Sequence, residues 1–168
     1  MTRRFDTEGV MASLTGRLAH RPPAISPASL ADAPALAALH AAAFRRGWSA
    51  DEFERFLDEP NVVADHAIAG ELVGYVLSRK AADQAEILSI AVAEAFRGRG
   101  IAGKLLDVHL RRLAYHGVYS VFLEVDERNL PARRLYASFR FGEVGRRPNY
   151  YCDPGEPAGT ALVLRRDL

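Results

Sequence analysis

Cysteine is almost missing from this chain. Cys152 is the only one among 168 residues. An intramolecular disulfide is therefore excluded, and a reducing, cytoplasmic compartment is expected. Long apolar runs are missing as well. No stretch approaches the roughly 20 consecutive apolar residues of a membrane-spanning helix. The opening Met1-Thr2-Arg3-Arg4 has no apolar run behind it, so neither a secretory signal nor a membrane partner is expected. No internal repeat or low-complexity tract is visible. None of the five histidines stands at metal-ligand spacing, so no metal is expected, and no Ser/His/Asp arrangement is indicated. Charge of one sign is not in excess overall: 22 Lys and Arg face 21 Asp and Glu, a net of +1. The balance is uneven along the chain, however. Arg97 to Arg147 holds eleven Lys and Arg against five Asp and Glu, a local net of +6. Base-stacking aromatics do not interleave with these cations, which argues against a nucleic-acid face.

The informative stretch is Ile87 to Tyr136. An apolar run, Ile87-Leu88-Ser89-Ile90-Ala91-Val92, leads into Arg97-Gly98-Arg99-Gly100-Ile101-Ala102-Gly103-Lys104. An amphipathic helix follows, then Val121-Phe122-Leu123-Glu124-Val125, an apolar run with one acid. The order reads strand, turn, helix, strand, helix. Glycines in a strand-to-helix turn let the backbone come close to an anion, and the helix start adds unpaired N–H groups and a positive dipole end. With three glycines and three cations between two apolar strands, a di- or polyphosphate is the expected guest rather than a merely solvated loop. Gly98-x-Gly100-x-x-Gly103 is a literal dinucleotide fingerprint, but Ala93-Glu94-Ala95-Phe96-Arg97 separate it from the strand and no second mononucleotide half has room. Gly98 to Lys104 nearly matches a P-loop, but Leu105 stands where Ser or Thr must hold magnesium.

A third pattern fits without repair. Arg97-x-x-Gly100-x-Ala102, preceded by Ile90-Ala91-Val92 and followed by Asn129-x-x-Ala132-x-x-Leu135-Tyr136, resembles the pyrophosphate loop and its surroundings in the GNAT family of N-acetyltransferases. The similarity runs from about Ile25 to Leu168. The resemblance implies an α/β fold with a mixed, mainly antiparallel sheet splayed at Val92 and Val125 and helices on both faces. It implies acetyl-CoA as co-substrate, held by Ile90, Ala91, Val92, the segment Arg97, Gly98, Arg99, Gly100, Ile101, Ala102, Gly103 and Lys104, and by Asn129 on the pantetheine arm. Trp48-Ser49, Leu123-Glu124-Val125, Leu135-Tyr136 and Arg146-Arg147-Pro148-Asn149-Tyr150-Tyr151 look most like the family's ribosomal-protein alanine N-acetyltransferases. That likeness implies a protein N-terminal α-amine as acceptor, alanine on a small-subunit ribosomal protein. A small amine or lysine acceptor, and a CoA-binding module without turnover, remain as alternatives.

The chemistry of acetyl transfer to an amine gives two residues tasks. The attacking amine must be neutral. An α-amine, with a pKa of about 7.7–8.0, loses its proton far more readily than a lysine at about 10.4. Glu124, between Leu123 and Val125, is a candidate base in a desolvated setting. The residues alone leave equally open that Glu124 simply pairs with a nearby arginine. A departing thiolate needs a proton, and Tyr136 sits where the family places its general acid. The alternative is an aromatic packed on the sheet. Asn129 can also serve as a plain helix N-cap. Trp48, Phe53, Tyr150 and Tyr151 are candidates for an acceptor groove. Trp48 and Tyr151 are taken as substrate-binding residues, whereas Tyr150 reads as core. His109 reads as a satisfied core residue.

Along the chain, residues 1–24 end in Arg21-Pro22-Pro23 and read as a flexible arm. Residues 25–168 read as a single domain, a length that can bury one core. A short strand covers Ala24 to Ser26, and a helix starts near Pro34 and ends near Phe44. Ser49-Ala50-Asp51-Glu52 is a capping box for a helix reaching Pro60. Strands Val62–Ala69 and Leu72–Arg79 form a hairpin through Gly70-Glu71, and Glu86–Val92 follows. The main helix spans Gly100 to His116, stopped by Gly117. Tyr119–Val125 is a strand, Pro131–Phe139 a helix, and two final strands enclose Cys152-Asp153-Pro154-Gly155. Two departures from the family pattern stand out. Arg140 occupies the middle of Phe139-Arg140-Phe141, where the family usually has glycine, so it must take a positive φ or the helix must end later, near Gly142. The last strand is preceded by Ala158-Gly159-Thr160 in place of the usual acid.

Overall fold

Three local signals lay out the first half of the molecule. Ser49 caps a helix through both arms of the capping box: its hydroxyl accepts the Glu52 N–H at 3.2 Å, and the Glu52 carboxylate accepts the Ser49 N–H at 2.7 Å. Pro34 sits in the first turn of the preceding helix, where its missing N–H costs nothing. Gly70, at φ 85, turns one hairpin. The next hairpin turns at Ala82, at φ 54, with no glycine to mark it. The structure, a computed structural model, describes residues 22–151 and 159–168, with Tyr151 described by its backbone only. The expected arm, up to Arg21, and the expected Cys152–Gly155 loop lie outside these residues.

The elements in order are β1 (Ala24–Pro27), α1 (Ala33–Ala43), α2 (Ala50–Asp58), β2 (Val62–Ala69), β3 (Glu71–Ala81), β4 (Gln84–Val92), α3 (Ile101–Tyr115), β5 (Ser120–Asp126), α4 (Leu130–Ser138), β6 (Gly142–Tyr151) and β7 (Gly159–Asp167). The sheet order is β1-β2-β3-β4-β5-β7-β6. Every neighbouring pair is antiparallel except β4 with β5. The fold is the expected mixed α/β sheet. β3 and β4 run two residues further on each side of their turn than the sequence suggested, because Ala82 carries no turn signature.

Two apolar layers cover the sheet. Leu105, Leu106 and Leu113 of α3 pack on Val76, Ile87, Val121 and Leu123. On the opposite face Leu36 of α1 and Phe53 of α2 pack on Tyr75, Leu77 and Ala91. Each fully buried leucine of this kind contributes about 1.5–3 kcal/mol. The inward face of α3 is formed by Ile101, Leu105, Leu106, His109, Leu110 and Leu113.

The parallel pair opens. β4 and β5 are in register only from Gln84↔Ser120 to Ile87↔Leu123. Beyond that, β4 stays with β3 as far as Gly74↔Val92, and β5 stays with β7 as far as Asp126↔Ala161. Each strand follows its other neighbour, and a slot parts Leu88–Val92 from Glu124–Asp126. A bulge helps to bend β4 there: the register with β3 jumps from Ser78↔Ile87 to Leu77↔Ser89, leaving Leu88 over. The extra residue resets the side-chain alternation, so Ala85 and Ile87 before it and Ile90 and Val92 after it all serve the α3 layer.

Two further features matter later. Arg140 does take a positive φ, 62°. It closes α4 in a Schellman motif, with Phe141 N–H donating to Tyr136 O and Arg140 N–H to Ala137 O. A Ser/His/Asp set also exists, contrary to the sequence reading. His109 bonds Ser78 Oγ at 2.7 Å and Asp65 Oδ2 at 2.7 Å, and Arg112 reaches Asp65 Oδ1 at 2.9 Å. The three residues come from β3, α3 and β2, which is why no local spacing announces them. Ser78, His109 and Asp65 are all at 0% exposure. They tie α3 to the sheet and have no access to a substrate.

Candidate active site

The slot between β4 and β5 opens on the α3 side into a cleft of about 600 Å³, within the range of small-molecule sites. Its walls come from β4 (Ile90, Ala91, Val92), from the loop and start of α3 (Arg97, Gly98, Gly100, Ile101, Ala102, Gly103), and from α4 (Asn129, Pro131, Ala132, Leu135, Tyr136). These parts of the sequence-based site converge on one cavity. Phe44, from the end of α1, adds a wall that no sequence motif signalled.

The loop is built to present backbone. Gly98 and Gly100 have φ values of 73° and 74°, a region that costs other L-residues roughly 1–2 kcal/mol. A Cβ on either would meet nothing within 4 Å, so the requirement is conformational rather than steric. Gly100 is the N-cap of α3 and offers no side-chain acceptor. The first-turn N–H groups of α3 are therefore open to an anion. Arg97 is anchored by a bond from Nε to Val92 O at 3.1 Å. Arg99 and Lys104 do not line the cleft. Arg99 turns back to Ala95 O at 2.9 Å and lies over the Phe96 ring, and Lys104 is exposed. The open edge of β4, the bare glycine loop and the free helix start together fit a pantetheine arm followed by a pyrophosphate.

Asn129 caps α4, its Oδ1 accepting the Ala132 N–H at 3.2 Å. The turn before it is held by Arg128, whose guanidinium grips Asp126 and keeps that carboxyl below the usual carboxylate range. Tyr136 is the one buried residue of α4, at 5% exposure. Its ring meets Phe141 edge-on at 5.8 Å while it forms part of the cleft wall.

Glu124 projects from the other face of β5, opposite Leu123 and Val125. It lines a second cavity of about 330 Å³, together with Glu86, Phe122, Arg79 and Arg147. The structure thus places Glu124 and Tyr136 in different cavities, on the two faces of the parted strands. Arg147 Nε lies 3.0 Å from Glu124 Oε1, so the pairing left open in the sequence is present. Tyr150 is not core: it is 49% exposed. Its hydroxyl donates to Glu124, and this bond to a carboxylate raises its pKa above the usual phenol value. Sequence reasoning missed Arg147 and set Tyr150 aside, because the contact joins β5 to an irregular part of β6. Trp48 lines neither cavity. It stacks on His40 at 4.5 Å and packs against Phe53 and Phe56. The side chain of Tyr151 lies outside the described residues.

The profile of the acetyltransferase (GNAT) family matches residues 33–141. This chain belongs to the GNAT acetyltransferase family. Among curated relatives, the [ribosomal protein bS18]-alanine N-acetyltransferase of Haemophilus ducreyi is 30% identical over 93 residues, 55% of this chain and 64% of that protein. The match thus spans under two thirds of that relative's length. The enzyme of the same name from Salmonella typhimurium is 33% identical over 132 residues, 76% of this chain and 86% of that protein. The crystal structure of the ribosomal-protein-S18-alanine N-acetyltransferase from Escherichia coli superimposes with a TM-score of 0.80 at 25% identity, covering 86% of this chain and 93% of that one. The parted β4 and β5 and the glycine loop of this GNAT protein lie within the matched residues. No helix among the described residues is long and apolar enough to cross a membrane.

Proposed function

We propose that this GNAT protein transfers the acetyl group of acetyl-CoA to the N-terminal α-amine of a protein, with an alanine-started small-subunit ribosomal protein as acceptor. The observation that carries the reading is the pair of cavities on either side of the parted strands, a carboxylate on one side and a phenol on the other. The names of the relatives support the acceptor class. Acetyl-CoA, when bound, supplies the activated acetyl thioester.

Arg97 and the amides of Gly98 to Gly103 hold the pyrophosphate end, and the open edge of β4 orients the arm that leads from it. The acceptor enters from the Glu124 side. Glu124 takes the ammonium proton, directly or through one water, so that the amine can attack. Tyr136, nine-tenths buried and facing the cleft, gives its phenolic proton to the leaving sulfur. Phe44 and the apolar wall of Leu135 and Phe139 keep water from the reacting end.

A peptide panel tests the acceptor. Peptides identical except for their first residue, with alanine, serine, methionine or proline, are incubated with acetyl-CoA and read by intact mass. The alanine peptide should be acetylated fastest, and a copy with a formyl-blocked amine should stay unmodified. Equal modification of the blocked copy would move the acceptor to a side chain.

A further inference from the structure

Glu124 does not face its cavity alone. Arg147 Nε is 3.0 Å from Oε1, and the Tyr150 hydroxyl donates to the same carboxylate. Both partners come from β6, and the Arg147 guanidinium lies 5.9 Å from the centre of the Tyr150 ring. The two ends of the ion pair are unequally placed. The Glu124 side chain is 17% exposed and the Arg147 side chain 61%. A carboxylate so far removed from water needs a cation near it, whereas an exposed guanidinium is content in water. Arg147 also stands where β6 leaves the ladder: its register with β7 shifts between Arg147 and Tyr151, and Asn149 has φ 58. Its anchor is therefore the last paired residue before a stretch without regular strand pairing. A peptide α-ammonium is likewise a cation, and it must reach the same carboxylate oxygens to give up its proton.

We propose that Arg147 occupies the acceptor ammonium's place at Glu124 in the resting protein, and that peptide binding exchanges one cation for the other. The inference rests on the N-terminal acetylation reading given above. Arg147 is then a positioning residue that acts through Glu124. It keeps the carboxylate aimed into the cavity, and it competes with the acceptor. Among the described residues, the charged and titratable groups around Glu124 are Arg147 and Tyr150 from β6, Glu86 from β4 and Arg79 from β3. Arg79 is already committed, with both of its bonded nitrogens on Glu59 at 3.0–3.1 Å. The exchange is easy because a half-exposed ion pair is weak and its arginine returns to water.

The test compares wild type, R147Q and R147K with an alanine-started peptide at neutral pH. R147Q should lower KM for the peptide roughly two- to fivefold, the worth of a half-exposed ion pair, without a matching rise in kcat. R147K should restore KM towards wild type. A KM that rises or stays put, or a kcat that changes as much as KM, overturns the proposal while leaving N-terminal acetylation standing. If wild type acetylates no peptide amine, the acetylation reading fails on its own. The ion pair is then judged separately by the ¹³C NMR shift of the Glu124 carboxyl at neutral pH. A shift that differs between wild type and R147Q supports Arg147 as its resting cation, and equal shifts overturn it.

Discussion

Replacing Gly100 with aspartate, and separately with asparagine, isolates the charge at the anion loop. Gly100 has φ 74 and ψ 10, and a Cβ there meets nothing within 4 Å. Neither replacement therefore clashes. Both pay the same backbone cost, and both belong to the pair of residues that tolerates this conformation best. Their difference is one negative charge at the start of α3. At about 6 Å from a phosphate, with an effective dielectric of about 20–40, the repulsion is about 1.4–2.8 kcal/mol per unit charge. Gly100→Asp should therefore bind acetyl-CoA roughly 10- to 100-fold more weakly than Gly100→Asn. Isothermal titration calorimetry on both folded variants measures it. Equal affinities for the two would refute the placement of the pyrophosphate at this loop.

Three other outcomes are expected. Tyr136→Phe keeps the ring against Phe141 and should bind acetyl-CoA normally while turnover falls by ~10²–10⁴; near-normal turnover with chemistry rate-limiting returns Tyr136 to a packing role. His40 is buried under Trp48 and accepts the Trp48 N–H on Nδ1 at 3.1 Å, and burial holds its pKa below the ordinary 6.5, with Glu52 opposing. Its neutral form thus stabilises the fold fully above about pH 6.5, and that contribution is lost as pH falls from there towards the lowered folded value; urea midpoints of wild type and His40→Asn should converge on acidification, and parallel curves would contradict this. His109→Leu leaves Asp65 and Ser78 buried with a partner missing, which should cost about 3–5 kcal/mol in urea unfolding; a loss below about 1 kcal/mol would show that the network relaxes.

What was legible in the sequence was local. The capping box at Ser49, the helix stop at Gly117 and the glycine loop each lie within a few residues and have a direct backbone meaning. The oddity of Arg140 was legible for the same reason, since a Schellman motif needs a positive φ at one defined position. What was not legible was long-range. The Leu88 bulge follows from pairing with β3, not from any glycine or proline. The Ser78–His109–Asp65 set joins three elements. The partners of Glu124 lie on β6, where Pro148 and Asn149 break the ladder, so neither spacing nor periodicity links them to β5. Trp48 shows the limit in another way: an aromatic before a capped helix can serve a groove or a core, and here it stacks on His40, a residue whose own burial the helix pattern did not single out. The splay of the strands came from the family resemblance, and its physical cause, each strand keeping its other neighbour, is visible only in the register.

The most direct measurement uses one alanine-started peptide that carries a free α-amine and a single internal lysine. After incubation with acetyl-CoA at neutral pH, fragment-ion mass spectrometry locates the acetyl group. The account expects it on the α-amine, in wild type but at most weakly with Tyr136→Phe. Acetyl on the lysine, or no transfer to this or any other α-amine, would contradict it.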